Sequence, residues 1–409
     1  MACQIAHDIG KMANVVFIIN VRNSIIVTTA GCQLTMKSIV KRIHQNSLQP
    51  IVRMAGASLT VLTLTLTAFA VPAHAADVPG CSTGSTCPAV AGISGIYGIE
   101  ARTIAAQMAA HPVPDLTPVP INERELYSRA YRRVMTETDV YDAPNGKVVG
   151  HIDNGFSFVN AGIVQDGWVQ IRPGQWLPDK TLGVINKAIS KFSGVALPNG
   201  FPSITFAWML LDTKPSHTPG GQPPSGTTLI KRYTLVNLFA SETVDGWQWY
   251  LIGPDQWVLQ TRVAIAHPVA RPDAVTGKWV AVDLYEQTLI AYEDDKPVFA
   301  TLISSGLPAS PTAEGTFKIY DRHALIKMSG AGGQPDFYYL PEVPFVMYFN
   351  DAQQALHGAY WHDGFGFRHS HGCVNMSITD AEWTFNWTLD QPSATVYVYK
   401  SGDYKPTSS

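Results

Sequence analysis

The chain consists largely of short runs in which apolar and polar residues alternate, separated by tight turns. In the C-terminal third, runs at 279–284, 288–292 and 297–304 are divided by turn residues at 285–287 and 294–296. A period of two places every second side chain on one face, which is the pattern of a β-strand in a sheet. With 33 glycines and 28 prolines among 409 residues, and few amphipathic helical stretches, the sequence predicts a mainly β protein of about two to four domains.

An internal repeat occupies the middle of the chain. The ten residues from Trp168 match the ten from Trp249 at an offset of 81, and 156–160 match 233–237. Each copy places an Asp-Gly turn before a tryptophan, at 166–168 and 245–247. This order of strands and turns predicts two small β-barrels, at 121–197 with a leading helix and at 198–270. The tryptophans either fill the barrel cores or form an aromatic ligand platform, and the sequence leaves both open.

The repeat resembles the bacterial SH3-like modules of cell-wall proteins. That resemblance implies that the two modules bind the wall or serve as spacers in front of the C-terminal segment.

The N-terminal 75 residues have the features of an export signal. Basic residues precede an uncharged run at 55–71, and Ala73, His74 and Ala75 form an A-x-A cleavage pattern. The uncharged run is short for a membrane span, so we expect cleavage after Ala75 and membrane attachment only if the segment is retained. Met36 and Met54 are alternative start sites. Residues 76–120 are predicted to be a Gly/Pro/Ser-rich linker, and the protein is expected outside the cytoplasm.

Export changes the interpretation of the cysteines. Cleavage would remove Cys3 and Cys32, and Cys81 and Cys87 lie close enough in sequence to form a local disulfide outside the cytoplasm. Cys373 is then an unpaired thiol. An unpaired thiol in an oxidising compartment is either buried or used in chemistry.

The surroundings of Cys373 favour chemistry. Four histidines lie upstream of it within sixteen residues: His357, His362, His369 and His371. A thiol needs a base to become a nucleophile at neutral pH, so the segment predicts a cysteine acyl-transfer site. A metal site built from the same histidines and Cys373 is the alternative, although their spacing matches no closed zinc pattern. The net charge of −3 gives no electrostatic reason to expect nucleic acid as a partner.

Residues 278–400 resemble the L,D-transpeptidase (YkuD) catalytic domain. The resemblance rests on His357-Gly358, a gap of eleven residues, the motif from Ser370 to Asn375, and the helix that follows it with Trp383 and Trp387. It implies a β-sandwich-like fold with a short helix, followed by a tail at 401–409. It also implies that Cys373 is the nucleophile and that His357 is the general base and acid.

The same resemblance assigns supporting roles. Gly358 orients the imidazole through its backbone, and the amides of Gly372 and Cys373 donate to the oxyanion. The remaining supporting residues are His371, Ser370 and Asn375. The predicted substrate-binding residues are Tyr360, Trp361 and Arg368, with core packing an equal alternative for the first two. His362 and His369 are expected to be ordinary loop residues.

The reaction implied by the family is the crosslinking of peptidoglycan stem peptides. Cys373 would form a thioester with a donor tetrapeptide, release D-alanine, and pass the acyl group to an amine of an acceptor stem in a 3→3 crosslink. Hydrolysis of the same stems by an L,D-carboxypeptidase or endopeptidase is one alternative. A non-catalytic wall-binding protein is the other. No cofactor and no metal ion are expected.

Overall fold

The computed structural model describes residues 16–21, 24–29, 98–330 and 336–403. The chain forms two compact units, Met1–Val78 and Pro79–Ser409. In the first unit, β1 (Val16–Val21) and β2 (Ser24–Thr29) pair as an antiparallel hairpin. The predicted export run at 55–71, its cleavage pattern, and Cys81 and Cys87 lie outside the described residues.

The second unit is mainly β, which confirms the predicted class. Its helices within the described residues are α1 (Gly98–Ala110), α2 (Glu123–Leu126) and α3 (Ile378–Trp387). Its strands up to the end of the repeat are β3 (Thr117–Pro118), β4 (Tyr131–Arg133), β5 (Thr138–Tyr141), β6 (Val148–Ile152), β7 (Phe156–Asn160), β8 (Val164–Gln165), β9 (Trp168–Arg172), β10 (Gln175–Pro178), β11 (Val195–Ala196), β12 (Phe206–Met209), β13 (Leu235–Asn237), β14 (Ala240–Val244), β15 (Trp247–Gly253), β16 (Gln256–Leu259) and β17 (Val263–Ile265). The strands of the C-terminal segment are β18 (Lys278–Asp283), β19 (Thr288–Glu293), β20 (Lys296–Leu302), β21 (Gly315–Lys318), β22 (Asp321–Gly330), β23 (Tyr338–Tyr348), β24 (Ala355–Gly358), β25 (Val374–Met376) and β26 (Thr395–Tyr399).

The C-terminal segment contributes to two sheets and one helix, and each sheet also includes two strands from earlier in the chain. The seven-stranded sheet has the order β21-β26-β18-β19-β20-β11-β3, and the six-stranded path runs β25-β24-β23-β7-β4 with β22 paired to β23. A continuous apolar core joins residues of both sheets and α3, including Val282, Phe299, Val346, Leu356 and Ala381. The antiparallel meander β18-β19-β20 follows the alternation in the sequence. Burial of both sheet faces removes a large apolar area from water, which is the main stabilising effect in such a fold.

The internal repeat has a three-dimensional counterpart. The hairpins β8-β9-β10 and β14-β15-β16 each turn at an Asp-Gly pair with positive φ, at Asp166 and Asp245. Each is followed by a 3₁₀ helix, Asp179–Thr181 and Gln260–Arg262, at the same offset of 81 residues. The tryptophans divide between the two expected roles: Trp257 is fully buried, whereas Trp247 is 39% exposed.

The described part of the predicted linker is packed and not free. Ala101, Ile104 and Met108 of α1 form a core cluster with Leu251 and Trp257 of the second repeat. The strands β3 and β11 both extend the seven-stranded sheet, so the segment at 117–118 and the end of the first predicted module belong to it. These residues of the segment predicted as a linker are therefore packed against the second repeat and the seven-stranded sheet.

The leading helix of the first module is one turn long and starts from Asn122, whose side chain accepts the Glu125 N–H. At the other end of the chain, Ser377 caps α3 by accepting the Asp380 N–H at 3.1 Å. Asp380 is fully buried and accepts hydrogen bonds from the Gly194 N–H and the Thr301 hydroxyl. Burial raises the pKa of Asp380 to about 6. Asp380 thus joins α3, β20 and the residue preceding β11.

Among the residues that the structure describes, no helix is long and apolar enough to cross a membrane.

Candidate active site

Two neighbouring parallel strands position the two principal candidates. β24 carries His357, and it pairs in parallel with β25 so that His357 lies opposite Asn375. Cys373 immediately precedes β25, two residues before Asn375. Because register partners on adjacent strands share a face, His357 and Asn375 lie on the same side of the sheet. The backbone of Ala355, two residues before His357 on β24, hydrogen-bonds to Cys373. The strand pairing therefore brings together the segments that carry the predicted base and the predicted nucleophile.

The imidazole of His357 is held in one orientation by its neighbour. His357 is buried, and its Nδ1 lies 3.2 Å from the carbonyl oxygen of Gly358. A carbonyl can only accept, so Nδ1 carries the proton and Nε2 has a free lone pair. The ring of Trp361 packs beside the imidazole, with centroids 5.6 Å apart. Burial lowers the pKa of His357 to about 4, more than the Gly358 contact raises it. At neutral pH the ring is an uncharged base.

The Cys373 thiol is protonated at neutral pH. Cys373 is half-buried, and burial raises its pKa to about 11, while a hydrogen bond from the backbone of Ala355 opposes the shift. The resting pair is thus thiol and neutral imidazole, not a thiolate–imidazolium ion pair. Such a pair moves its proton when the sulfur attacks, with His357 as the acceptor.

A second loop holds the motif in place. The Thr312 hydroxyl donates to the carbonyl oxygen of Gly372 at 2.8 Å and accepts the Gly306 N–H at 2.9 Å. Ser310 donates to the carbonyl oxygen of His371 at 2.9 Å. Gln354 binds both edges of the same loop, accepting from the Ala313 N–H and donating to the Pro311 carbonyl. These contacts fix the loop that carries the sulfur.

Gly372 is required at its position for two reasons. Its φ is +120°, which side-chain-bearing residues rarely adopt, and a Cβ there would lie 2.6 Å from Nε2 of Gln354. The Gly372 N–H donates to the Ser370 hydroxyl at 3.1 Å, and that hydroxyl donates to the Cys373 carbonyl. The Gly372 N–H is therefore already paired within the loop. To stabilise an oxyanion as predicted, it would have to release the Ser370 hydroxyl and donate to the substrate oxygen instead.

The Asn375 side chain contacts His362. Nδ1 of His362 accepts the Gly364 N–H at 3.1 Å, and burial lowers the pKa of His362 to about 3, so its proton lies on Nε2. The Asn375 amide lies 2.8 Å from that Nε2. Because Nε2–H needs an acceptor, we assign the amide oxygen to this contact. The amide nitrogen then takes the buried position at which the side chain has no protein partner. Asn375 thereby presents a donor on the face that it shares with His357.

The predicted substrate-binding residues lie in different parts of the structure. Tyr360 is buried, stacks on Tyr131 at 3.6 Å and donates to the Pro341 carbonyl, so it belongs to the core and not to a groove wall. The groove prediction for Tyr360 is wrong, because β4 of the first repeat covers it. Trp361 is half-buried beside His357, as noted above.

Arg368 lines another cavity, and the His371 side chain contacts β23. Arg368 donates to the Leu284 carbonyl at 3.4 Å and lines a cavity of about 800 Å³ with residues of the second repeat such as Trp247, a cavity that Cys373 does not line. The His371 ring stacks on Tyr338 with centroids 5.4 Å apart, and its Nε2 is 3.8 Å from Asp336. The His371 side chain is 46% exposed, and its contribution to the loop is its backbone carbonyl.

Two tyrosines near the sulfur were not found from the sequence. Burial raises the pKa of Tyr338 and of Tyr348, and a negative charge on Cys373 raises each further. Both hydroxyls therefore lie within electrostatic range of the thiolate. They lie on β23, outside the sequence motif, and only the hairpin β22-β23 brings them to it. Their spacing of ten residues carries no recognisable signal.

Within 98–330 and 336–403, no group of three or more histidine, cysteine, aspartate or glutamate side chains is arranged to hold a metal ion.

A comparison with protein families identifies the segment that contains this site. Residues 277–398 match the family model described as the YkuD L,D-transpeptidase catalytic domain. The match agrees with the expected 278–400 and confirms the resemblance for this segment. No curated protein matches the chain.

Several solved structures are similar to parts of the chain. An L,D-transpeptidase from Stackebrandtia nassauensis is 28% identical, with 32% of this chain and 60% of that chain covered and a TM-score of 0.26. The catalytic domain of an E. faecium L,D-transpeptidase is 25% identical, with 31% and 99% covered and a TM-score of 0.28. L,D-transpeptidase 3 from Mycobacterium tuberculosis is 14% identical, with 52% and 93% covered and a TM-score of 0.28. TM-scores this low carry no argument about the fold, and the chain spans only 60% of the first of these structures.

Proposed function

We propose that this protein is an exported cysteine L,D-transpeptidase that crosslinks peptidoglycan stem peptides. The observation that supports the proposal is the pairing of β24, which carries His357, with β25, which Cys373 immediately precedes, together with the contact of His357 Nδ1 with the Gly358 carbonyl. That arrangement leaves Nε2 as the only ring atom able to take the thiol proton. The match of 277–398 to the L,D-transpeptidase catalytic domain supports the choice of substrate class.

The first half-reaction forms a thioester. Nε2 of His357 takes the Cys373 proton as the sulfur attacks the carbonyl between the third and fourth residues of a donor tetrapeptide. The carbon–nitrogen bond breaks, His357 returns the proton to the leaving amine, and D-alanine departs. Donors on the same face stabilise the oxyanion, and the assigned Asn375 amide supplies one of them.

The second half-reaction decides the outcome. An amine on the side chain of an acceptor stem's diamino acid attacks the thioester, His357 takes its proton, and the thiol is regenerated with a 3→3 crosslink. If water attacks, the product is a tripeptide. A bound amine competes with water because the enzyme holds it in place, so acceptor binding sets the balance between transfer and hydrolysis.

Export and the repeat give this chemistry its location. The sequence pattern at 55–75 directs the chain out of the cytoplasm, where the peptidoglycan lies. In the proposal, the two repeat units are SH3-like modules that hold the catalytic segment at the wall. The first of these units shares both sheets of that segment, through β4, β7 and β11, which supports a fixed arrangement rather than a flexible tether.

One experiment distinguishes the proposal from its alternatives. Wild-type protein and Cys373→Ala are incubated with a purified disaccharide-tetrapeptide, and the products are measured by mass spectrometry. We expect crosslinked dimers that have lost one D-alanine with the wild type and unchanged substrate with the variant. Tripeptide alone would instead indicate the L,D-carboxypeptidase alternative. Unchanged substrate with both proteins would leave wall binding as the function and would overturn the proposal.

A further inference from the structure

A second cavity lies where the first repeat meets the strand that flanks the active site. This junction pocket has a volume of about 330 Å³, within the lower range of small-molecule sites. One side is formed by the first repeat, with Asp153, Ser157, Arg172 and Gln175. The other is formed by β23, with Tyr339 and Glu342. The contact is direct, because β7 pairs in parallel with β23 and Ser157 is the register partner of Tyr339.

A buried hydroxyl in the junction pocket has no protein partner. Ser157 is 1% exposed, and its Oγ makes no hydrogen bond within the described part of the chain. Burying a hydroxyl without a partner costs free energy, so most buried hydroxyls in proteins are paired. An unpaired hydroxyl that lines a cavity points to a polar group of a ligand.

The junction pocket also offers a cation that no carboxylate neutralises. Arg172 is exposed and donates to the Tyr339 hydroxyl at 3.2 Å, and among the described residues no ion pair involves it. Beside it, the amide of Gln175 supplies a further donor. A planar guanidinium is well suited to binding a carboxylate through two parallel hydrogen bonds.

The acidic groups at the junction pocket are already engaged. Glu342 Oε2 accepts from Arg129 at 2.8 Å and from Asn160 at 3.1 Å. Asp153 lies 3.8 Å from Nε2 of His151, whose other nitrogen contacts Asp139. Arg129 and Asn160 therefore satisfy Glu342, and the Asp153 side chain is 85% exposed to solvent. Arg172 is the arginine that lines the junction pocket.

We propose that the junction pocket binds the C-terminal carboxylate of a peptide, with Arg172 and the Ser157 hydroxyl as its donors. Ile152, Phe158 and Ile171 also line the cavity and give it an apolar wall for a small aliphatic side chain such as that of alanine. Naming a peptidoglycan stem ending in D-alanine as this peptide rests on the proposed function. The carboxylate chemistry itself rests on the pocket.

The junction pocket is separate from the active site. Tyr338 lies within range of the Cys373 charge, and its neighbour Tyr339 lines the pocket. Successive side chains of a strand point to opposite faces, so the two sites lie on opposite sides of β23. A peptide bound here is therefore a second peptide and not an extension of the donor at Cys373.

Equilibrium binding to the full chain tests this inference. Cys373 is first alkylated with iodoacetamide to block the active site, and titration calorimetry then follows the tetrapeptide L-Ala-γ-D-Glu-L-Lys-D-Ala and its C-terminal amide. We expect the free acid to bind at one site and the amide to bind at least about tenfold more weakly, because it lacks the charge that Arg172 recognises. Arg172→Gln should weaken binding of the free acid by a similar factor. Arg124→Gln, an exposed arginine on α2, is the matched control and should bind as the wild type does.

The outcomes separate this inference from the proposed function. No binding by the alkylated protein, or equal binding by Arg172→Gln and wild type, would overturn the pocket assignment. Ser157→Val tests the second donor, and Arg172→Gln still decides the question if that variant does not fold. If the unalkylated wild type forms no acyl-enzyme but the alkylated protein shows Arg172-dependent binding, the proposed function fails and the carboxylate site stands.

Discussion

Thr312 donates its hydroxyl hydrogen to the carbonyl oxygen of Gly372 across 2.8 Å, joining two loops that lie 60 residues apart in the sequence. The Thr312 hydroxyl oxygen in turn accepts the Gly306 N–H, and Thr312 is only 4% exposed. One side chain therefore pairs two buried backbone groups, one of them on the residue that precedes the candidate nucleophile. The position of the Cys373 sulfur depends on this contact.

Thr312→Val tests that dependence. Valine keeps the shape of the side chain but leaves the Gly306 N–H and the Gly372 carbonyl unpaired. We expect the free energy of unfolding to fall by about 1–3 kcal/mol and acyl-enzyme formation to slow. Urea denaturation and a single-turnover acylation assay measure the two effects. Thr243→Val, on the exposed edge of β14, is the control, and an equal loss in both variants would contradict the assigned role.

Gly372→Ala tests the requirement for glycine in the motif. The new Cβ meets Nε2 of Gln354 at 2.6 Å, and the positive φ adds conformational strain. Gly174→Ala is a matched control, because its φ is +70° and its Cβ would meet nothing within 4 Å. We expect Gly174→Ala to cost about 1–2 kcal/mol of unfolding free energy and Gly372→Ala to cost more and to impair acylation. Equal stabilities would show that Gln354 moves aside freely.

His357→Ala tests the base. Removing a positioned general base should slow acyl-enzyme formation by about 10²–10⁴-fold. The exposed His217 of the second repeat provides the control, and His217→Ala should retain the wild-type rate. The intact-protein mass, recorded over time after mixing with tetrapeptide, follows the thioester directly. A His357→Ala rate within a few-fold of wild type would assign the proton transfer to another group.

The pH dependence of thiol alkylation tests the resting protonation state. The Cys373 pKa is raised to about 11, so below that pH the thiolate fraction grows about tenfold per pH unit. The His357 pKa is lowered to about 4, so the ring stays neutral above that pH and does not stabilise a thiolate as a cation. The logarithm of the iodoacetamide rate should therefore rise with a slope near one from pH 7 to pH 10. A plateau between pH 5 and pH 8 would reveal an ion pair instead.

Asn375→Asp tests the amide orientation. The aspartate keeps an acceptor for Nε2–H of His362 but replaces the assigned donor with a second oxygen. We expect acyl-enzyme formation to fall at least as far as in Asn375→Ala, because a carboxylate repels the developing oxyanion. Single-turnover rates of both variants provide the comparison. A rate for Asn375→Asp near that of wild type would place the amide nitrogen, and not the oxygen, against His362.

Much of the fold followed from local patterns. The meander β18-β19-β20 and the helix with Trp383 and Trp387 were predictable because alternation and capping are properties of neighbouring residues. The repeat was visible for the same reason, since the Asp-Gly turns before Trp168 and Trp247 are short and specific. The packing of α1 against the second repeat was not predictable, because it depends on residues more than a hundred positions away. The two-residue strands β3 and β11 were not predictable either, because nothing in so few residues indicates which sheet they join.

Some features of the candidate site were likewise predictable from the sequence, and others required the tertiary structure. The candidate nucleophile and base were predictable from the sequence, because a motif of a thiol, an imidazole and glycines carries the resemblance to the L,D-transpeptidase domain. The proton on Nδ1 of His357, the shifts in its pKa and in that of Cys373, and the bracing by Thr312 and Gln354 came only from the tertiary structure. The tertiary structure also showed that Tyr360 lies in the core and that Arg368 lines another cavity. Each of these depends on which distant residues cover a side chain, and burial and hydrogen-bond partners arise only once the sheets have packed.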